Sequence, residues 1–252
     1  MNQITAVYFS PTGRTQKGVL SIARALDDNP ETIDLTTKDT PKREPFGPHD
    51  LVVFGAPVYA GRLPSAAANR ISMLHGDRTP CIVTVTYGNR DYDDALLELF
   101  DIATARGFVP VAAAALVAQH TYGEIAVGRP NEDDLSQNAL FAQQVRQKLE
   151  SGRTSPPNIP GNYPYKEGGA GSFHPRTGDA CVRCGLCVRE CPVGAIDPDD
   201  PAHIDGAHCI SCFRCIRVCP VHAKNMNTAA YLTFAAAFTQ KLSARRENEY
   251  LL

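Results

Sequence analysis

Eight of the nine cysteines in this 252-residue chain fall between Cys181 and Cys219, and Cys81 stands alone. Cys181, Cys184, Cys187 and Cys191-Pro192 form the pattern C-x2-C-x2-C-x3-C-P. Cys209, Cys212, Cys215 and Cys219-Pro220 repeat it 28 residues later. A secreted disulfide scaffold would be short and Cys-dense throughout, whereas the first 180 residues hold one Cys. Clustered thiols in a reducing compartment bind metal rather than pair. Zinc motifs offer two separated pairs of ligands, and three close Cys with a fourth before Pro, twice over, do not fit that. The run is that of iron–sulfur ligation. Pro192 and Pro220 fix the exit of the chain after each fourth Cys. Ala195 and Ala223 are small residues at matching positions, suited to packing against a cluster.

A second set of residues could bind an organic ligand. An apolar run over 4–9 ends in Ser10-Pro11-Thr12-Gly13-Arg14-Thr15. This loop lacks the Gly-Lys-Ser/Thr end of a Walker loop, and it is not GxGxxG. A hydroxyl-rich turn opening a helix can still hold a phosphate monoester. Backbone N–H groups point at the anion, Ser10, Thr12 and Thr15 add hydroxyls, and Arg14 adds charge. Ser and Thr also cap helices without binding anything, so the loop alone leaves both readings open. Two further strand ends, Ala56-Pro57-Val58-Tyr59-Ala60-Gly61 and Thr86-Tyr87-Gly88-Asn89-Arg90-Asp91-Tyr92, supply aromatic residues and flexible backbone. Those suit a flat, aromatic, hydrogen-bonding ligand.

These residues need a scaffold that gathers strand ends. Residues 51–55 and 81–87 read as buried strands, and 108–118 as a fifth strand whose Ala-rich centre also allows helix. Val19, Leu20, Ile22, Ala23 and Leu26 recur at helical spacing. Ser65 could cap the next helix. Asp91 or Asp93 can start the helix that buries Ala95, Leu96, Leu99, Phe100 and Ala103, with Gly107 as its C-cap. Residues 131–150 form a final long helix. The alternation predicts an α/β fold over 1–150, a doubly wound five-stranded parallel sheet with helices on both faces. Ligands of such sheets sit beyond the carboxyl ends of the strands. Residues 151–175 are dense in Gly and Pro and read as a linker or an extended wrapping segment. Residues 176–226 form a small α+β cysteine domain, and 227–252 a helical tail. The charged end of the tail, Lys241, Arg245, Arg246, Glu247 and Glu249, reads as a solvated face.

Residues 176–226 resemble a two-cluster bacterial ferredoxin. The resemblance implies one 4Fe–4S cluster on Cys181, Cys184, Cys187 and Cys219, and a second on Cys209, Cys212, Cys215 and Cys191. The second half closes on His222-Ala223-Lys224-Asn225-Met226, more polar than the usual apolar ending of that family. That departure bears on packing near one cluster, not on ligation. Residues 1–150 resemble flavodoxin: the Ser10 to Thr15 loop matches its phosphate loop, and the 57–61 and 86–92 segments match its flavin-ring loops. The resemblance implies FMN, with Ser10, Thr12, Gly13, Arg14 and Thr15 on the phosphate. Tyr59 or Tyr87 would stack on or flank the isoalloxazine, and Pro57, Val58, Gly61, Thr86, Gly88, Asn89 and Tyr92 would line the ring and its polar edge. Arg62 and Arg90, if near the ring, would favour reduced flavin. The whole order is similar to fused flavodoxin–ferredoxin proteins of anaerobes. So is the segment 119–130, in which His120 could approach the flavin.

Lys plus Arg is 25 and Asp plus Glu is 27, a net charge of −2. That excludes nucleic-acid or membrane binding through bulk positive charge. No apolar run approaches the roughly 18–20 residues of a membrane helix. The N-terminal stretch lacks the pattern of a signal peptide, so a cytoplasmic location is expected. The expected function is intramolecular electron transfer between two 4Fe–4S clusters and FMN. Its partner would be a redox protein or a small-molecule electron donor or acceptor, and a homodimer is allowed for. Two alternatives stay open. One is a flavin-dependent reductase fed by the clusters, with His120 or Tyr122 as proton donor. The other is a redox-sensing or assembly subunit with structural clusters. Cys81 reads as a small core residue.

Overall fold

The computed structural model describes residues 3–37, 45–169, 171 and 173–252; Met1 and Asn2 of the N-terminal stretch lie outside it. The first part alternates as expected: β1 (Ile4–Tyr8), α1 (Arg14–Leu26), β2 (Glu31–Asp34), β3 (Leu51–Pro57), α2 (Ser65–Ile71), β4 (Thr79–Tyr87), α3 (Ala95–Ala105), β5 (Phe108–Val117) and α4 (Glu132–Glu150). The five strands are parallel in the order β2-β1-β3-β4-β5. That is a doubly wound order whose reversal lies beside β1. Strands β3, β4 and β5 are buried on both faces, so they read as near-continuous apolar runs. One face packs Val52, Phe54, Val83 and Val85 against Ala67 and Ile71 of α2 and Leu96 and Leu99 of α3. The other packs Ala6, Val53, Ile82 and Ala114 against Val19 and Ile22 of α1 and Phe141 and Val145 of α4. Cys81 is fully buried in the first of these cores.

The helix starts differ in detail from the expected ones. Asn131 caps α4 through a reciprocal box with Asp134, accepting its N–H at 3.0 Å and donating its own to the Asp134 carboxylate at 2.8 Å. The cap residue of α3 is Asp94, not Asp91 or Asp93, and its carboxylate makes no cap bond. It accepts instead from the backbone N–H of Asn162 at 2.8 Å and Lys166 at 2.7 Å. The Gly- and Pro-rich segment is thereby tied along α3, where Tyr163 and Tyr165 also donate to Asp101.

The cysteine-bearing part holds β6 (Arg176–Thr177), α5 (Leu186–Arg189), α6 (Arg214–Val218) and β7 (Lys224–Asn225), with β6 and β7 antiparallel. Then come α7 (Ala229–Lys241) and β8 (Glu249–Leu251). Strand β8 adds a sixth, antiparallel strand beside β5, which the five-strand expectation lacks. The charged end of the tail is correspondingly not all solvated. Asn89 donates to the carbonyls of Leu242 (2.9 Å) and Ala244 (2.8 Å) and accepts from the Arg246 N–H at 3.0 Å. The Arg246 guanidinium donates to Arg90 O at 2.6 Å, and Arg129 donates to Arg246 O. Among the described residues, no helix is long and apolar enough to cross a membrane.

Candidate cofactor sites

At the carboxyl ends of the parallel strands lies a cavity of about 240 Å³. The loop after β1 forms one side. Gly13 takes φ +78°, a left-handed conformation that favours glycine, and it sets the turn into α1. The Ser10 hydroxyl accepts the Gln16 N–H at 2.9 Å. Among the described residues no backbone group accepts from the first helical N–H groups, those of Arg14 and Thr15, so both remain free for an anion. Among the described residues Arg14 donates to two neutral acceptors, Arg129 O at 3.0 Å and Gln119 Oε1 at 2.5 Å. Burial, with Arg217 nearby, pushes its guanidinium down from its ordinary value, a strain that a phosphate would relieve.

The other sides come from Pro57 at the end of β3 with Val58 and Tyr59 beyond it, and from Thr86, Tyr87 and Gly88 at the end of β4. Two of these wall residues keep a buried hydroxyl with no described partner, Thr86 Oγ1 and Tyr87 OH. Buried polar atoms are rarely left so, and a hydrogen-bonding ligand would satisfy them. Residues 118–122 follow β5. His120 accepts the Tyr122 N–H on Nδ1 at 2.8 Å, and burial pushes its imidazole down to about 4, so the ring is neutral at pH 7. Burial, with Cys212 near, raises the Tyr59 hydroxyl well above its usual range.

Several residues expected on the phosphate or the ring stand outside the cavity lining. Ser10 and Gly13 shape the phosphate-side turn but do not line the cavity. Gly61, at φ +86°, belongs to a tight turn in which Tyr59 and Arg62 exchange backbone bonds, and an added Cβ would run into Asp93. The Asn89 side chain is committed to the tail. Tyr92 packs edge-on to Tyr87 and donates to Glu249 at 2.6 Å, so it too lies outside the lining. Arg62 does not line the cavity: it pairs with Glu98 through two bonds of 2.8 and 2.9 Å and lies over Tyr165. Arg90 does reach the cavity but pairs with Asp93.

The eight clustered cysteines sort into two groups. Cys181, Cys184, Cys187 and Cys219 line one small cavity, and Cys191, Cys209, Cys212 and Cys215 line another. Each group takes three thiols from one repeat and the fourth from the other. Among the described residues no three His, Cys, Asp or Glu converge on a point that would hold one ion. Thiols set around a space suit a core with irons at separate corners, whereas zinc needs them converging at about 2.3 Å. The Ala195 N–H donates to Cys191 Sγ at 3.3 Å and the Ala223 N–H to Cys219 Sγ at 3.2 Å. These donors suit sulfurs that carry charge.

Residues 6–91 match the family described as a flavodoxin domain, and residues 180–223 match the family described as a 4Fe–4S dicluster domain. The chain joins a flavodoxin domain to a 4Fe–4S dicluster domain. It is an electron-transfer flavin and iron–sulfur protein. Similar solved structures include a flavodoxin from the domain Archaea, at 11% identity over 59% of this chain and 99% of that one, with a TM-score of 0.44. Another is oxidised Flavodoxin 1 from Bacillus cereus, at 15% identity over 58% of this chain and 98% of that one, also at 0.44.

The dicluster domain abuts the flavodoxin domain at the cavity. Ile210 and Ser211, the two residues between Cys209 and Cys212, line it, as do Phe234 and Phe238 of α7. Arg214 donates to Pro11 O at 3.1 Å and pairs with Glu190, and Arg70 of α2 donates to Pro192 O at 2.6 Å. Tyr122 packs among Phe173, Phe213, Tyr231 and Phe234. These closing residues escaped sequence reasoning. The four-residue spacing of Phe234 and Phe238 signals one helix face, but nothing local says what that face covers.

Proposed function

We propose that this protein passes single electrons, within one chain, between two 4Fe–4S clusters and an FMN held in its flavodoxin domain. The observation that carries the reading is a shared wall. Ile210 and Ser211, flanked by Cys209 and Cys212, close the same cavity as Thr12, Arg14, Thr86 and Gly88. In this reading Thr12, Arg14 and Thr15 take the phosphate, with Ser10 and Gly13 shaping the turn. Pro57, Val58, Tyr59, Thr86, Tyr87 and Gly88 take the ring. Cys181, Cys184, Cys187 and Cys219 hold one cluster, and Cys191, Cys209, Cys212 and Cys215 the other. Bound FMN supplies one- and two-electron chemistry and each cluster one-electron chemistry.

The chain contributes position and shielding. Residues 1–150 bind the flavin, 151–175 wrap that unit, 176–226 carry the clusters, and 227–252 close the cavity through Phe234 and Phe238. The loop of the second cysteine group meets the cavity through Ile210 and Ser211, while Cys184 of the first group is exposed. A redox partner, protein or small molecule, therefore meets the first group. Of the two proton donors that the reductase alternative names, burial leaves the His120 imidazole neutral at pH 7, while the Tyr122 hydroxyl, raised by burial, keeps its proton.

Anaerobically purified protein is expected to hold FMN and about eight irons. Rapid reduction is expected to bleach the clusters first and the flavin next, with no substrate consumed. Protein without flavin, or with about four irons, removes the corresponding half of the reading. Flavin bleaching ahead of the clusters overturns the coupling between them.

A further inference from the structure

The two halves of the cysteine repeat part company at one buried position. Cys191-Pro192-Val193-Gly194-Ala195-Ile196 and Cys219-Pro220-Val221-His222-Ala223-Lys224 align at the repeat spacing, so Lys224 stands where Ile196 stands. The backbones agree. Gly194 and His222 share positive φ, at 67° and 52°, and Ala195 and Ala223 make matching N–H bonds to sulfur. The side chains do not agree. Ile196, 4% exposed, lines the cavity of the Cys191 group. Lys224, 2% exposed, lines the cavity of the Cys181 group.

The Lys224 ammonium donates to Thr177 Oγ1 at 2.7 Å and to Pro201 O at 2.5 Å. Both acceptors are neutral, and among the described residues no carboxylate forms an ion pair with it. A buried ammonium without a counter-charge is costly, so such a group needs an anion beside it. The Lys224 charge favours the thiolate at Cys187 and Cys219 of the adjoining cavity and also at Cys215 of the other group. Each electron added to a thiolate-bound cluster adds negative charge, and a fixed cation favours that state.

We propose that Lys224 is the counter-charge of the solvent-facing cluster and makes it the more easily reduced of the two. The inference rests on the reading that the Cys181 group holds a cluster. Its flavin-facing counterpart has Ile196 at the equivalent place; the Lys224 charge is felt there at Cys215, but its side chain lines the other cavity. An electron delivered from outside then comes to rest first at the outer cluster, and passage toward the flavin-facing cluster is the uphill part of the route.

The test is a redox titration of the anaerobic full-length holoprotein, followed by electron paramagnetic resonance. The cluster signal lost in Cys184→Ala identifies the outer cluster. In Lys224→Met, the reduced-to-oxidised ratio of the outer cluster at its wild-type midpoint should fall about tenfold, equivalent to about 59 mV for one electron. The inner cluster should change by less than about threefold, and Lys224→Arg should leave both within that range. An unmoved outer cluster, equal shifts in both, or a Lys224→Arg shift as large as that of Lys224→Met overturns the proposal. Should Lys224→Met shed iron, Lys224→Gln, which keeps a donor without charge, takes its place. If both neutral variants shed iron and Lys224→Arg keeps it with unshifted potentials, the charge requirement stands. If Lys224→Arg also sheds iron, the proposal falls. Wild-type protein with only one cluster signal instead defeats the underlying ligand reading, whatever Lys224 does.

Discussion

The two halves of the cysteine repeat have the same local geometry and opposite surroundings. Arg183 and Ser211 both sit at φ 54°, and Gly185 and Phe213, next in the pattern, at 71° and 59°. Outside that shared loop the halves diverge. Val182 is 63% exposed and Cys184 is exposed, while their counterparts Ile210 and Cys212 are half-buried and buried. The second loop lies against the flavin-side cavity and, through Phe213, against Tyr122 and Tyr231. Spacing therefore sets how four thiols are presented. What packs on the outer side of each loop sets whether that thiol group lies toward solvent or toward the cavity of the flavodoxin domain.

The largest test of this asymmetry removes one thiol from each group. Cys184→Ala and Cys212→Ala should each lower iron from about eight to about four. Only Cys212→Ala should abolish flavin reduction that follows cluster bleaching in stopped-flow absorbance. Equal loss in both variants would break the assignment of inner and outer roles. Next comes a charge placed in the shared wall. Ile210→Asp buries a carboxylate without a partner, at about 2–4 kcal/mol, and should open the domain contact and speed flavin loss measured by fluorescence.

On the flavin side, His120 gives the comparison a pH axis. Its folded value of about 4 lies below the unfolded value of about 6.5. Between these the unfolded chain binds the proton and the native chain does not. Stability therefore rises with pH across the window and is lost as pH falls through it, by about 3 kcal/mol in all. Urea unfolding at pH 4.5 and 7 checks this, and His120→Gln should flatten the dependence. A smaller effect is expected from Asn89→Ala, which removes three bonds to the tail at about 1 kcal/mol each or less. It should loosen FMN and leave the iron content unchanged. Smallest of all, Val182→Asp, the outer counterpart of Ile210→Asp, should change stability by less than about 0.5 kcal/mol. A large loss there would mean that the outer loop is not free.

Much of this was legible in the residues themselves because it is local. The Cys spacing is a short-range pattern, and so are the apolar runs of β3 and β4 and the turn of Ser10 to Thr15. What escaped is long-range. Asn89 and Tyr92 stand in a ring-loop segment, yet their side chains serve residues more than 150 positions away. Strand β8 is three residues long and has no alternation strong enough to announce it. Ile210 and Ser211 sit inside the metal motif, which says nothing about the face they cover. Lys224 was visible as a departure in polarity, but only the fold buries it in the wall of one thiol cavity and not of the other.

The pairing of β8 with β5 also orders assembly in time. It joins Glu249–Leu251 to residues 113–115, so the whole cysteine-bearing segment is synthesised between the two partners. Contacts of such sequence separation form late. Until they do, the loop held by Asn89 has no brace and the Phe234–Phe238 face has not yet arrived. A nascent chain displays an open flavin-side cavity throughout translation of the cysteine motifs, and the cavity closes only once those motifs have emerged. If the cavity holds FMN, stalled chains ending before α7 should accordingly exchange it faster than released protein.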